Sequence, residues 1–262
     1  MYDERDSRDT ASRASIRALY AERGIVPTRR NFACQSLRLC SDGAKLDLHT
    51  GNWAFVRCDY GKALVDGLPA RIMFVAMDRG GYGGADDEGF PDTQSAFRRA
   101  IQLPRNPHMG GVALILKHLV DEREPRKLSG LCALTNAVKC VQHTGSMSTN
   151  ATSTMIRECG SHLRAELRAL EPDLIVTQGG HPADTVRESL AGLRLVQEFA
   201  GEKRGRAALY ENSRVAVLVT PHPARQAGLK WARAELPHFL LDAIARTRAE
   251  LTSRLKSRPP SA

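Results

Sequence analysis

With 262 residues the chain is long enough to bury a full core and to form one or two domains. Its 42% hydrophobic and 26% charged residues are the balance of an ordinary globular protein. No run approaches the roughly 20 apolar residues of a membrane-spanning helix, which argues against an α-helical membrane protein. The formal charge of +9 favours polyanionic partners, nucleic acid among them, although a basic surface that serves only solubility accounts for it as well. The charged opening, Met1 to Asp6, has no apolar run behind it, so no secretory signal is expected and the protein is expected to be cytoplasmic. Six cysteines in such a chain point to metal binding, catalysis or core packing rather than disulfides. No Cys-x-x-Cys pair is present, which argues against a standard zinc finger.

Residues 9–23 carry Ala11, Ile16, Leu19 and Tyr20 at helical spacing among charges, which predicts a peripheral amphipathic helix. Residues 31–67 hold three cysteines and several turn residues, and read as an irregular segment pinned by something other than a large core. A buried strand is expected over 71–77, ending in a glycine-rich loop that begins Asp78-Arg79-Gly80; glycines let a ligand approach the backbone closely. Helices are expected over 93–101 and 111–120, then a strand over 131–135 ending at Asn136. The Ser/Thr-rich stretch 141–154 reads as a loop. An amphipathic helix over 155–170 is stopped by Pro172, and a strand over 174–177 turns through Gln178-Gly179-Gly180 into a helix over 182–193. A short strand is possible at 208–210. The last buried strand, 215–219, leads to His222, and a long helix is expected from about 229 to 254.

Four uninterrupted apolar strands alternating with helices predict a single-domain three-layer α/β/α sandwich, with a mostly parallel four-stranded central sheet. The domain is expected over 31–255, preceded by a helical segment over 1–30 and followed by a disordered basic tail over 256–262.

Ligands of open α/β sheets bind outside the carboxyl ends of the strands. Three of the four strands end in Asp78, Asn136 and His222. A carboxylate can activate water, an amide offers a donor pair and an acceptor that suit a base edge, and an imidazole can donate to a developing anion. Each also has a plainer explanation. Asp78 is a common turn or cap residue, Asn136 could satisfy backbone groups, and His222 between Pro221 and Pro223 could serve a rigid turn. The combination is harder to explain that way than any one member.

Asn136-Ala137-Val138-Lys139-Cys140 resembles the Asn-Val-Val-Lys-Cys motif of the iron–sulfur uracil-DNA glycosylases, families four and five, and Pro221-His222-Pro223-Ala224 resembles their His-Pro-Ala motif. Glu171 to Val176 followed by Gly179 is similar to their third strand and turn, and Cys159 to their last cluster cysteine. The similarity runs from about 71 to 227. The resemblance implies that Asn136 reads a flipped base, that His222 stabilises charge on the departing base at O2, and that Phe90 stacks on the base. The plainer reading of Phe90 is a loop anchor. The resemblance places Arg225 near the phosphate backbone or the minor groove, with Lys139 and Arg79 as further phosphate candidates or ordinary surface charges. The implied partner is DNA and the chain is expected to act as a monomer.

The first motif departs from those families, which carry Gly-Glu-Ala-Pro-Gly where this chain has Ala76-Met77-Asp78-Arg79-Gly80. Met77 takes the place of the Glu. Asp78 stands where the best-known uracil glycosylases carry their Asp, and Gly80 where those enzymes place a Tyr that rejects bulky C5 groups. The resemblance further implies a 4Fe-4S cluster held by Cys140, Cys159 and an N-terminal pair. Cys34 and Cys40 are the candidates, six residues apart, with Cys58 as an alternative to either; Cys132, inside a strand, reads as a small core residue.

The expected function is a DNA glycosylase that hydrolyses the N-glycosidic bond of a flipped uracil or modified pyrimidine and leaves an abasic site. Its role would be repair of uracil or a deaminated base, or anti-phage defence through a hypermodified cytosine with a bulky C5 group. The competing functions are a non-catalytic nucleic-acid binder of the same fold and a small-molecule hydrolase with a basic surface.

Overall fold

The computed structural model describes residues 11–25, 34–42, 48–50, 54–57, 59–77, 107–128, 130–142, 151–201, 205–223 and 236–258. In chain order the elements are α1 (Ala11–Glu22), α2 (Leu37–Asp42), β1 (Leu48–Thr50), β2 (Phe55–Val56), β3 (Ala63–Val65), β4 (Leu68–Ala70) and β5 (Ile72–Ala76). There follow α3 (Pro107–Leu119), α4 (Pro125–Leu128), β6 (Cys132–Asn136), β7 (Cys140–Gln142), α5 (Ser153–Leu170), β8 (Leu174–Gln178) and α6 (Gly180–Ser189). The chain closes with β9 (Arg194–Ala200), β10 (Arg206–Glu211), β11 (Ala216–Thr220) and α7 (His238–Ser257).

The central sheet has the order β2-β6-β5-β8-β11-β10-β9. Its middle four strands, β6, β5, β8 and β11, are mutually parallel, and β2, β10 and β9 extend it antiparallel at the two sides. Successive side chains of a strand point to opposite faces, and both faces are apolar here. Ile72, Phe74, Leu174, Val176 and Leu218 pack with α3 and α7 on one side, in a core that includes Ile115, Leu116, Leu240 and Ile244. Met73, Val75, Ala133, Ile175 and Val217 pack with α1, α5 and α6 on the other, against Ile16, Tyr20, Leu163, Leu167 and Val186. The fold is a three-layer α/β/α sandwich.

Several expectations change. Among the described residues the sheet has seven strands, and the four expected form its parallel centre. The helix expected over 182–193 stops at Ser189, and a strand follows at 194–200 where no element was expected. This strand lies at the sheet edge with most of its side chains exposed, so it carries no buried apolar run to betray it. Helix α1 is not peripheral: Ile16 and Tyr20 are buried in the core. Within the segment read as irregular, β1 pairs with β7, and the β3–β4 hairpin turns on Asp66-Gly67, both with positive φ, as a two-residue hairpin turn requires. Residues 256–258, expected in the disordered tail, are ordered: α7 runs to Ser257 and Arg258 pairs with buried Asp173. No described helix is long and apolar enough to cross a membrane.

Candidate active site

The chain runs β5, β6, then back past β5 to β8 and on to β11. The connections therefore diverge between β5 and β8, the position where an open α/β sheet leaves a crevice at its carboxyl edge. Asn136 ends β6 on one side of this point and His222 follows β11 on the other. Three strand spacings separate β6 from β11, about 14 Å. That gap is wide enough for a planar ring held between the two side chains. The edge is locked: Ala137 N–H donates to Ala76 C=O (2.7 Å), Val138 N–H to Met77 C=O (2.9 Å), and Gly179 N–H to Thr220 C=O (2.9 Å).

His222 is half-buried between two buried prolines. Gly179, with φ of 110°, turns β8 into α6 in a conformation that favours glycine, and a Cβ there would make an ordinary contact with the His222 Cβ at 3.6 Å. The His108 ring sits edge-on to the His222 ring, with centroids 4.6 Å apart and planes at 86°. Gln178 clamps His108 in turn, its Oε1 3.1 Å from His108 Nδ1 and its Nε2 donating to the His108 carbonyl at 3.0 Å. This bonding places a proton on His108 Nδ1.

Asn136 is buried at the end of β6, and beneath it lies a polar network. Lys139 turns back along the chain so that Nζ donates to Asn136 C=O (2.5 Å), to Thr135 Oγ1 (2.7 Å) and to Glu166 Oε2 (2.8 Å), with Glu166 Oε1 at 2.7 Å. Thr135 Oγ1 donates to Glu166 Oε2 (2.8 Å), Tyr20 Oη donates to Glu166 Oε1, and Ala54 N–H donates to Tyr20 Oη (2.7 Å). Side-chain exposure is 2% for Lys139 and 0% for Glu166. Lys139 was expected as a phosphate contact. That role is corrected, because an ammonium enclosed in the core, with its donors spent on Glu166, Thr135 and Asn136, cannot reach a phosphate. Burial and the Glu166 carboxylate raise the Tyr20 phenol well above its ordinary range.

The structure brings Cys34, Cys40, Cys140 and Cys159 around one small pocket, which His162 and Glu158 also line. All four are free thiols. Lys139 N–H donates to Cys159 Sγ at 3.3 Å and His162 Nε2 lies 3.4 Å from Cys34 Sγ. A hydrogen bond between Cys140 and Cys159 raises the first thiol and lowers the second. Burial pushes Cys40 up to about 11, and burial with nearby Lys139 and Arg23 holds the His162 imidazole down at about 4. Val138, Met155 and the partly buried Met77 pack against Cys40, Cys140 and Cys159, so the residue before Asp78 leans on this cluster. Cys132 is fully buried in β6, its thiol pushed up to about 12. Among the described residues no three His, Cys, Asp or Glu side chains converge as a single metal ion requires. A cubane spaces its thiolates more widely, because each binds a different iron.

Asp78, Arg79, Gly80, Phe90, Arg225 and Cys58 lie outside the described residues; Asp78 follows Met77 directly in the chain. Residues 65–240, about two thirds of the chain, match the family model described as the uracil DNA glycosylase superfamily. The chain belongs to the uracil DNA glycosylase superfamily. Among curated protein sequences none matches it. Within the matched region fall Asn136, Lys139, Cys140, Cys159 and His222, and also residues that the sequence did not point to. His108 lies behind Pro107 at the start of α3 and had no strand end to mark it. Glu166 did leave a signal, since Cys159, Leu163, Glu166 and Leu170 recur at helical spacing, which places a carboxylate on the apolar stripe of α5. His162 lies beside the same stripe.

Proposed function

We propose that this chain is a DNA glycosylase that takes a uracil or modified pyrimidine out of the stack and hydrolyses its N-glycosidic bond. The observation that carries this reading is the pairing of Asn136 and His222 across one carboxyl-edge crevice, inside a region that matches a glycosylase superfamily. Asn136 bonds the base edge with its donor pair and acceptor. His222, steadied by His108 and Gly179, donates to the base oxygen as the bond electrons move onto the base. Asp78, next to the end of β5, holds the water that adds to the sugar carbon and takes its proton. Basic residues, Arg225 and Arg79 among them, neutralise phosphates and offset the few kcal/mol that unstacking costs.

The residues of the cysteine cavity fit a 4Fe-4S cluster: four thiols face one space, and the Lys139 N–H and His162 ring lie against two of the sulfurs, as outer partners of ligating sulfur do. Cys34, Cys40, Cys140 and Cys159 would hold it, and it would supply iron–sulfur bonds cross-linking α2, β7 and α5 behind the recognition strand. On this reading the chain stands nearest the iron–sulfur families, and Met77 and Asp78 are its departures from them.

The test is to incubate the protein with duplex and single-stranded oligonucleotides bearing uracil or other pyrimidines, and with hypermodified phage DNA, and to assay abasic sites. His222→Ala is expected to lose about 100-fold to 1,000-fold in rate, the usual cost of removing one donor to a developing anion. Product from none of these DNAs, or full activity in His222→Ala, would refute the reading. Product only from phage DNA would assign the chain to defence. An anaerobic preparation that is colourless and free of iron and sulfide would exclude the cluster.

A further inference from the structure

Lys139 joins two regions that the chain otherwise keeps apart. Its side chain holds the carbonyl of Asn136 and its backbone N–H holds the sulfur of Cys159. Glu166 fixes the ammonium from α5, Thr135 bridges the two, and Tyr20 on α1 closes the set from the far side. The arrangement sits beneath the last residue of β6 and is sealed from solvent. It is buried, and it touches the recognition residue directly, at the Asn136 carbonyl. A charged pair is a costly way to fill a core when apolar side chains would serve, which suggests a geometric task. A backbone carbonyl pinned by an ammonium at 2.5 Å has little freedom to rotate, and the Asn136 amide turns with the same backbone.

We propose that Lys139 is the positioning residue of base recognition, with Glu166 and Thr135 as its supports, orienting Asn136 toward the extruded base. The inference rests on the glycosylase reading for the identity of the ligand. It concerns a step that reading leaves open: how an amide at the end of a strand is held in a single orientation.

The experiment is a double-mutant cycle. The uncharged pair Lys139→Met with Glu166→Gln, and Asn136→Ala, are made separately and together, and kcat and KM are measured on the best DNA substrate. If Lys139 acts through Asn136, the uncharged pair loses on the order of tenfold to a hundredfold in kcat/KM, and nothing further when Asn136 is already Ala. Equal losses in both backgrounds would mean that the network only supports the fold, and would overturn the proposal. If the uncharged pair does not fold, Thr135→Val, which removes the bridging hydroxyl and keeps the shape, enters the same cycle under the same criteria. If the wild-type protein makes no abasic sites on any DNA, the glycosylase reading falls. The cycle is then run on the ratio of binding constants for a uracil-containing and an abasic oligonucleotide by fluorescence anisotropy. A wild-type ratio that Lys139→Met/Glu166→Gln abolishes only while Asn136 is present supports the positioning role. Multiplicative effects, or a wild-type ratio of one, overturn it.

Discussion

The Lys139–Glu166 pair sets a sharp stability test. At 2.7 Å the two charges attract by about 6 kcal/mol at an effective dielectric constant of about 20. Desolvating them costs several kcal/mol each, so the pair as a whole adds little over an apolar filling. Removing one member is another matter, because the survivor stays buried without a counter-charge. Lys139→Met and Glu166→Gln should therefore each destabilise by about 3 to 5 kcal/mol, while the double variant should lose well under the sum, with a coupling of about 2 kcal/mol or more. Urea unfolding followed by circular dichroism, with the m-value checked for constancy, measures this directly. Additive losses, or a cost below about 1 kcal/mol for Lys139→Met, would show that water reaches the ammonium and would refute the reasoning. The same network predicts an alkaline limb. Tyr20 keeps its proton in the folded state to a higher pH than in the unfolded chain. Its contribution is present below about pH 10 and is lost as pH rises beyond that. Tyr20→Phe should flatten the decline above pH 10 by up to about 1.4 kcal/mol per pH unit.

Three further outcomes are expected. Gly201→Ala puts a methyl group into the Phe239 ring, 2.6 Å from Cε1 and 2.9 Å from Cγ, and should cost about 1 to 3 kcal/mol, read as a fall in unfolding midpoint; an unchanged midpoint would mean the ring moves aside freely. His162 is held at about 4, below the unfolded value of about 6.5, so its contribution is present above pH 6.5 and is lost as pH falls toward 4. His162→Gln should flatten that acid limb in a stability-versus-pH curve. Thr177 Oγ1 in β8 is buried with no hydrogen-bond partner among the described residues, so Thr177→Val should leave stability unchanged or raise it by up to about 1 kcal/mol in the same urea assay.

The four parallel strands could be read from the sequence because each is apolar on both faces, which is rare outside a covered sheet. Strands β9 and β2 escaped for opposite reasons. The first is exposed at an edge, and the second is two residues long and lives on its pairing with Leu134 and Ala133. At the site, Asn136 and His222 stood out because each follows an apolar run. Lys139 was misassigned because a lysine beside a strand end looks solvated until its partner is known, and Glu166 is 27 residues away on another layer. His108 faces His222 only because α3 packs beneath the β8 turn, which no local pattern encodes.

The bond from Tyr20 to Glu166 spans 146 residues, so the first described helix completes a network that the chain cannot close until α5 has been synthesised. Ala54, Val56, Met73 and Val75 can cover part of Ile16 and Tyr20 early, but their burial is complete only once α5 has followed. Closing so long a loop carries an entropic cost that grows with its length, and it favours late completion of α1 docking in folding. A deletion of α1 would remove the Tyr20 hydroxyl from Glu166 and uncover the back of the network that holds Asn136. An amino-terminal truncation would then act on base reading from a place remote from the crevice.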